Sequence, residues 1–338
     1  MDSRYIPPVI YAGIDEAGYG PLLGPLCVGT SAFRLCAAAP SSDSHAHLAP
    51  PDLWRVLASG VCRKPKDARR RIAIADSKKL KSAGKQPLVH LERGVLAFLG
   101  GEVPADDASL FTRLGVTAAG TRATPWHTGA LPLPVAISAA EAAIARNLVS
   151  TALDRAGASL AALGVAALDP PAFNALYDAL GNKASINLSL VYQSLRAIDL
   201  ARGDDDAFVA VDRQGGRGAY RDGLAEHLAD GRPVRVVEET DERSTYAIGG
   251  CATRSEGALI VSFEVEAEDR HLPVALASMA AKYTRELSMR RLNAFFAERL
   301  PELAPTAGYV EDGRRFLREV KPILLREAIP ERGFVRAV

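Results

Sequence analysis

The stretch YAGIDEAGYGPLLGP, residues 11–25, carries a short apolar run straight into two adjacent carboxylates and then into a loop of glycine and proline. The run from Val9 to Ile14 predicts a buried strand ended by turn chemistry. Asp15 and Glu16 fall at that strand's end, beside glycines that let backbone come close to a ligand. Strand ends are also acidic in plain solvated turns, so the segment gains meaning only if others end the same way. Two do. The run AFVAVD ends on Asp212, and ALIVSFEVEAED finishes on Glu268 and Asp269.

If these three strands are neighbours in one sheet, their ends gather several carboxylates that raise one another's pKa unless a cation intervenes. Mg²⁺ or Mn²⁺, hard ions that prefer oxygen, suit such a set. Two ions about 4 Å apart could activate a water and stabilise the leaving oxygen of a phosphodiester. The six histidines and four scattered cysteines offer no competing metal motif. Strand alternation puts Ser262, Glu264, Glu266 and Glu268 on one face and Asp269 with the apolar one. On that count Glu268 is the better fourth ligand, Asp269 the alternative should the strand bend, and Glu264 and Glu266 are surface residues.

Composition bounds the rest. The 338 residues are 48% hydrophobic, enough for a substantial core, and the net charge of +1 announces no global attraction to polyanions. The basic run KPKDARRR, residues 64–71, reads as a solvated face. Unpaired cysteine spacing and the lack of a signal-like leader lead us to expect a cytoplasmic, monomeric chain; the most apolar region, residues 131–168, is too charged for a membrane span. Residues 86–99 and 138–163 predict helices. Residues 185–199 predict another, capped by Ser185 or Asn187, and Pro273 opens a long helix. On that helix Ser278, Lys282 and Arg285 share a face suited to phosphate oxygens, with Glu286 as a competing partner; Lys78 and Lys79 in DSKKL are a second such pair. RQGGRGAY, residues 213–220, reads as a turn or as a loop cradling an anion. Strands alternating with helices give the class α/β, a mixed sheet flanked by helices.

GIDEAGYGPLLGP, DSKKL, VAVD, ASMAAKYTRE and AGYVEDGRRFL occur in the order and character seen in type 2 ribonucleases H, and the chain resembles a divergent member of that family. The resemblance implies a ribonuclease H-like mixed five-stranded sheet in a single domain over 1–338. Inserted segments fall at about 36–66, 82–180 and 218–255, with a C-terminal helical part at about 300–338. It implies hydrolysis at ribonucleotides in RNA–DNA hybrid or chimeric duplexes by a two-metal site of Asp15, Glu16, Asp212 and Glu268 (or Asp269). It also implies that Gly18, Tyr19 and Gly20 inspect a ribose 2′-hydroxyl and that Tyr309 stacks on a sugar. Two features depart from the family. Tyr19 stands where the family has arginine, and RQGGR follows Asp212 in place of a glycine. A catalytically silent nucleic-acid binder and a nuclease on another RNA are the alternatives.

Overall fold

The computed structural model describes residues 9–36, 50–82, 88–116, 124–213, 215–249 and 257–337. Nine strands are found among them: β1 (Val9–Ala17), β2 (Leu26–Leu35), β3 (Val61–Cys62), β4 (Ile72–Ala73), β5 (Ala158–Leu168), β6 (Asp206–Asp212), β7 (Val234–Glu239), β8 (Arg243–Ile248) and β9 (Leu259–Glu264). Seven of them form one mixed sheet in the order β5-β2-β1-β6-β9-β8-β7, while β3 and β4 make a separate parallel pair. The centre of the sheet is parallel, β1 with β6 and β6 with β9, and its flanks are antiparallel. The three acid-ended strands are therefore adjacent and point the same way, which is the condition on which a shared site depended.

Each face of the sheet is covered by helices. The helix Leu272–Ala297 lies directly on β1 and β2, with Val89–Leu99 and Ala139–Ala156 behind it. Two glycines permit this approach. A Cβ on Gly13 would stand 2.1 Å from Val274 N, and one on Gly29 would stand 2.0 Å from the Ala277 carbonyl oxygen. Ser31 then donates to the Pro273 carbonyl at 2.8 Å, locking the start of the helix to β2. The opposite face is buried by Lys183–Arg202, Pro170–Leu180 and Arg221–His227 through Ile186, Val191, Leu195, Phe173 and Leu224. A smaller aromatic cluster, Phe296, Phe316 and Phe334 with Trp126, ties the C-terminal helix Val310–Arg326 to the far end of Leu272–Ala297.

The sheet is wider than the five strands expected. The helix predicted over 138–163 stops at Ala156, where Gly157 takes a left-handed cap, and residues 158–168 pair with β2 instead. Their alanine-rich sequence favours helix on propensity alone, and the exposed edge of β2 overrides it. That edge strand lies within residues 82–180, and the hairpin of β7 and β8, which carries the other edge, lies within 218–255. Residues 37–49, inside the 36–66 span, are outside the described residues. The predicted helix over 185–199 begins earlier, at Lys183, because Asn182 caps it through the Ser185 N–H at 2.8 Å. Among the described residues no helix is long and apolar enough to cross a membrane. Cys27, Cys36 and Cys62 are unpaired, and Cys251 is outside the described residues.

Candidate metal centre and nucleic-acid cleft

Asp15 and Glu16 close β1, and Asp212 closes β6 beside it. One ligand oxygen from each lies within 4.8 Å of the others. Successive residues of a strand face opposite ways, so Asp15 turns toward helix Leu272–Ala297 and Glu16 toward helix Lys183–Arg202. Ser278 on the first helix and Asn187 on the second lie beside Asp15 and Glu16 and favour their charged forms, and the Ser278 hydroxyl donates to that of Ser77 at 3.0 Å. Asn187, buried on the apolar face of its helix, is therefore a neighbour of Glu16 and not a cap. A lone amide among Ile186, Leu190 and Val191 was the sequence signal for it.

The fourth expected acid comes beside Asp212 by a route the alternation count did not contain, and it stands outside the set of Asp15, Glu16 and Asp212 whose oxygens lie within 4.8 Å. β9 stops at Glu264, and Glu266 turns the chain left-handed at φ 52° into the short helix Ala267–Arg270. The Ala267 N–H donates to Asp212 at 3.0 Å, and Glu268 brings its carboxyl against that of Asp212. Glu268 Oε2 is buried and takes no hydrogen bond. Asp269 faces outward to Lys79, 2.6 Å away. Glu264, expected on the surface, is instead buried, accepting from Ser262 at 2.8 Å and lying 3.1 Å from His271. β9 lies between β6 and β8, and the chain that turns after Glu264 brings Arg270 and His271 over its carboxylate, which the longer strand assumed from sequence did not allow for.

Charge follows from this crowding. Burial, then the charges of Glu16 and Asp212, push the Asp15 carboxyl well above the usual carboxylate range; the Ser278 hydroxyl opposes the shift. Burial also raises Glu16, against the pull of Lys78 and Asn187. Asp212 is pushed up to about 8 by burial and by Glu268. Burial would lower Lys78, but Asp76, Asp15, Glu268 and Glu16 prevail and hold its ammonium above the ordinary lysine value. Buried carboxylates that repel one another, with an orphaned oxygen on Glu268, are the donor set of a hard divalent cation. Such an ion fits the residues present.

In front of the cluster is a cleft of about 600 Å³ lined by Asp76, Lys78, Lys79, Asp212, Glu268 and Asp269, among others. Asp76 was missed from sequence as a cleft residue; it caps the helix Ser77–Ser82 by accepting the Lys78 N–H at 2.8 Å. The glycine loop borders the acids. Gly18 has φ +86°, Gly20 is open, and the Tyr19 ring lies under the Lys183 ammonium at 5.1 Å. Tyr309 is exposed at the N-terminus of helix Val310–Arg326, and the preceding Gly308 carbonyl accepts from Leu22 N at 2.8 Å. The loop and Tyr309 are thus docked together.

Two expected phosphate contacts are otherwise engaged. Arg285 is fully buried and donates to the carbonyls of Pro25, Leu23 and Ala307 at 2.7, 3.0 and 3.0 Å. Lys282 pairs with Glu286 at 3.1 Å. Helical spacing put Ser278, Lys282 and Arg285 on one stripe, but the stripe runs from the acids to the underside of the glycine loop, so its members meet different surroundings. Arg213 likewise spends its donors on the carbonyls of Arg217, Thr240 and Asp241, so its guanidinium braces the protein's own backbone.

No protein-family model and no curated protein matches the sequence. Solved structures do match over nearly all of it. The ribonuclease HII of Archaeoglobus fulgidus, solved with PCNA, is 17% identical over 97% of this chain and 93% of that one, with a TM-score of 0.41. The ribonuclease H2 of Pyrococcus horikoshii is 16% identical over 97% and 92%, TM-score 0.44. The Bst ribonuclease HIII solved in complex with Mn²⁺ is 14% identical over 97% and 66%, TM-score 0.40. The chain is, at these low identities and TM-scores, similar to ribonucleases HII and HIII along almost its whole length.

Proposed function

We propose that the chain is a divalent-metal-dependent endonuclease that hydrolyses phosphodiester bonds at ribonucleotides in RNA–DNA hybrid or chimeric duplexes. The observation that carries the reading is the convergence of Asp15, Glu16 and Asp212 within 4.8 Å at the ends of two adjacent parallel strands. Glu268 against Asp212 supports a fourth ligand. These four would hold Mg²⁺ or Mn²⁺, as one ion or two. Bound there, such an ion supplies Lewis-acid charge against a phosphodiester and lowers the pKa of water.

The protein's own groups have separable tasks. Ser278 and Asn187 fix the directions of Asp15 and Glu16. Gly18 and Gly20 leave backbone free to meet a ribose 2′-hydroxyl, the group by which RNA differs from DNA. Tyr19 and Tyr309 offer flat surfaces for a base or a sugar, and Lys78 a charge beside the scissile phosphate. The ends expected from the family resemblance are a 5′-phosphate and a 3′-hydroxyl.

The test is cleavage of end-labelled duplexes in Mg²⁺ and in Mn²⁺: an RNA–DNA hybrid, a DNA duplex with one ribonucleotide, single-stranded RNA and an all-DNA duplex. Cutting of the first two alone, lost in an Asp15→Asn/Asp212→Asn protein, is the expected result. No cutting with either ion would overturn the reading, and cutting of single-stranded RNA would redirect it.

A further inference from the structure

Residues 63–71, RKPKDARRR, hold six cations against one aspartate in a chain whose net charge is +1, so the remainder of the chain is net negative. The segment is not a free arm. It is the connection between β3 and β4, whose parallel pairing closes its base: Ile72 N donates to the Gly60 carbonyl at 2.8 Å and Ile74 N to the Cys62 carbonyl at 2.9 Å. Midway, Ala68 is buried, and its carbonyl accepts from Arg93 at 3.2 Å.

This ribbon abuts the acid cluster. Arg63 donates to the Asp269 carbonyl at 2.9 Å, reaches Asp52 at 3.1 Å and lies over the Trp54 ring at 3.9 Å. Lys79, just past the ribbon's other end, holds the Asp269 carboxylate. Arg63 at one end of the segment, and Lys79 on the helix Ser77–Ser82 that follows its other end, therefore converge on the residue next to Glu268. Between them Lys64, Lys66, Arg69 and Arg70 are exposed and take part in no ion pair among the described residues.

A solvated structural face usually interleaves or pairs its charges; here Asp67 is the one acid among six cations, and four of them pair with no described acid. The cleft beside it needs such a neighbour. Its carboxylates repel a polyanion, and the two lysines at its rim are drawn inward, Lys79 to Asp269 and Lys78 to the buried acids. A nucleic-acid backbone must find its attraction outside the cleft, and the exposed cations of the β3–β4 connection, anchored beside it through Arg63, supply it.

We propose that Lys64, Lys66, Arg69 and Arg70 form a phosphate-backbone contact that holds the duplex flanking the cut, with double-stranded nucleic acid as the partner. The proposal rests on the nuclease reading for its biological sense, but its physical content is separately measurable. Arginines and lysines on phosphates release counterions, so log K falls with log salt by about 0.9 per contact on duplex DNA.

The experiment is fluorescence anisotropy of a labelled RNA–DNA hybrid titrated with the full chain across a salt series, without added metal so that the probe stays whole. Wild type is compared with K64E/K66E/R69E/R70E and with the milder K64Q/K66Q/R69Q/R70Q, each first shown folded by circular dichroism. Both variants are expected to lose about 3 from the salt slope and at least tenfold in affinity at low salt. Rates at saturating hybrid in Mn²⁺ should be unchanged. An unchanged slope in a protein that still cuts hybrids overturns this proposal and leaves the nuclease reading standing; the ribbon would then serve an acidic protein or solvent alone. A slope that drops in a protein that never cuts does the reverse. No hybrid binding by wild type overturns both.

Discussion

The side chain of Arg285 passes 2.8 Å from where a Cβ on Gly18 would stand. Gly18, Gly24 and Gly308 all have positive φ and all surround this one guanidinium, which donates to carbonyls from both the glycine loop and the segment before Tyr309. The glycines thus make room for a buried cation that staples the glycine loop to the segment before Tyr309. Arg285→Lys keeps a charge but not the planar fork, and leaves carbonyls unsatisfied. We expect a loss of about 2–4 kcal/mol in denaturant unfolding. Cleavage should fall through a raised KM for substrates that engage Tyr309. Unaltered stability would show that water replaces the guanidinium without cost.

The acid cluster makes the chain's stability depend on pH and on metal together. Asp15, Glu16 and Asp212 all have folded pKa values above their ordinary ones. A carboxyl raised on folding favours the folded state while protonated in it, so its contribution is lost as pH climbs from about 4 toward the folded value. For Asp212 that window closes at about 8. Metal-free protein is therefore expected to melt lower at about pH 8 than at about pH 5.5 as far as these groups govern it. Mn²⁺ should raise Tm more at the higher pH, because binding requires deprotonated ligands. Asp212→Asn should raise the metal-free Tm at the higher pH and shrink the Mn²⁺ shift. Equal Mn²⁺ shifts at both pH values would contradict the site.

Tyr19 of the glycine loop and Lys183 form a pair, ring to ammonium at 5.1 Å. The loop carries no cation of its own at this position, and Lys183, from the first turn of helix Lys183–Arg202, brings one over the ring. Stacking on an aromatic surface is worth about 1–3 kcal/mol per base. Tyr19→Ala should therefore raise KM for a ribonucleotide-containing duplex by about tenfold or more, Tyr19→Phe by little, and Lys183→Ala by an intermediate amount that vanishes in high salt. Steady-state kinetics on the single-ribonucleotide duplex would decide it; an Ala variant with wild-type KM removes Tyr19 from the substrate path.

Much of this site was legible because it is local. Asp15, Glu16 and Asp212 end apolar runs of strand length, and nothing but adjacency of the strands had to be supplied by the fold. The rest depended on tertiary contacts. β5 has a helix former's composition and becomes a strand only because β2 offers an edge. Arg285 shares a helical stripe with Ser278, yet seven residues of rise carry it from the acids to the loop's underside, and no periodicity states what lies there. Glu264 looked exposed because the strand was drawn too long; the left-handed turn at Glu266, an unusual conformation for glutamate, has no signature in the sequence.

That turn also separates the last two acids and makes their roles testable. Glu268 is drawn in against Asp212 with one oxygen buried and unpartnered, whereas Asp269 is exposed and shares a surface ion pair with Lys79. An exposed pair of this kind contributes about 0–1 kcal/mol, so Asp269→Asn should cost little stability and less than tenfold in cleavage. Glu268→Gln removes a charge from beside Asp212. It should lower cleavage by at least about a hundredfold, about 2.7 kcal/mol of activation free energy. In the metal-free protein it should also stabilise, because it relieves the repulsion on Asp212. The two readouts moving in opposite directions distinguish a ligand from a scaffold residue, whose loss would depress both. If instead Asp269→Asn abolishes cleavage and Glu268→Gln is mild, the chain's fourth ligand is Asp269, and the short helix Ala267–Arg270 must turn on binding metal to present it.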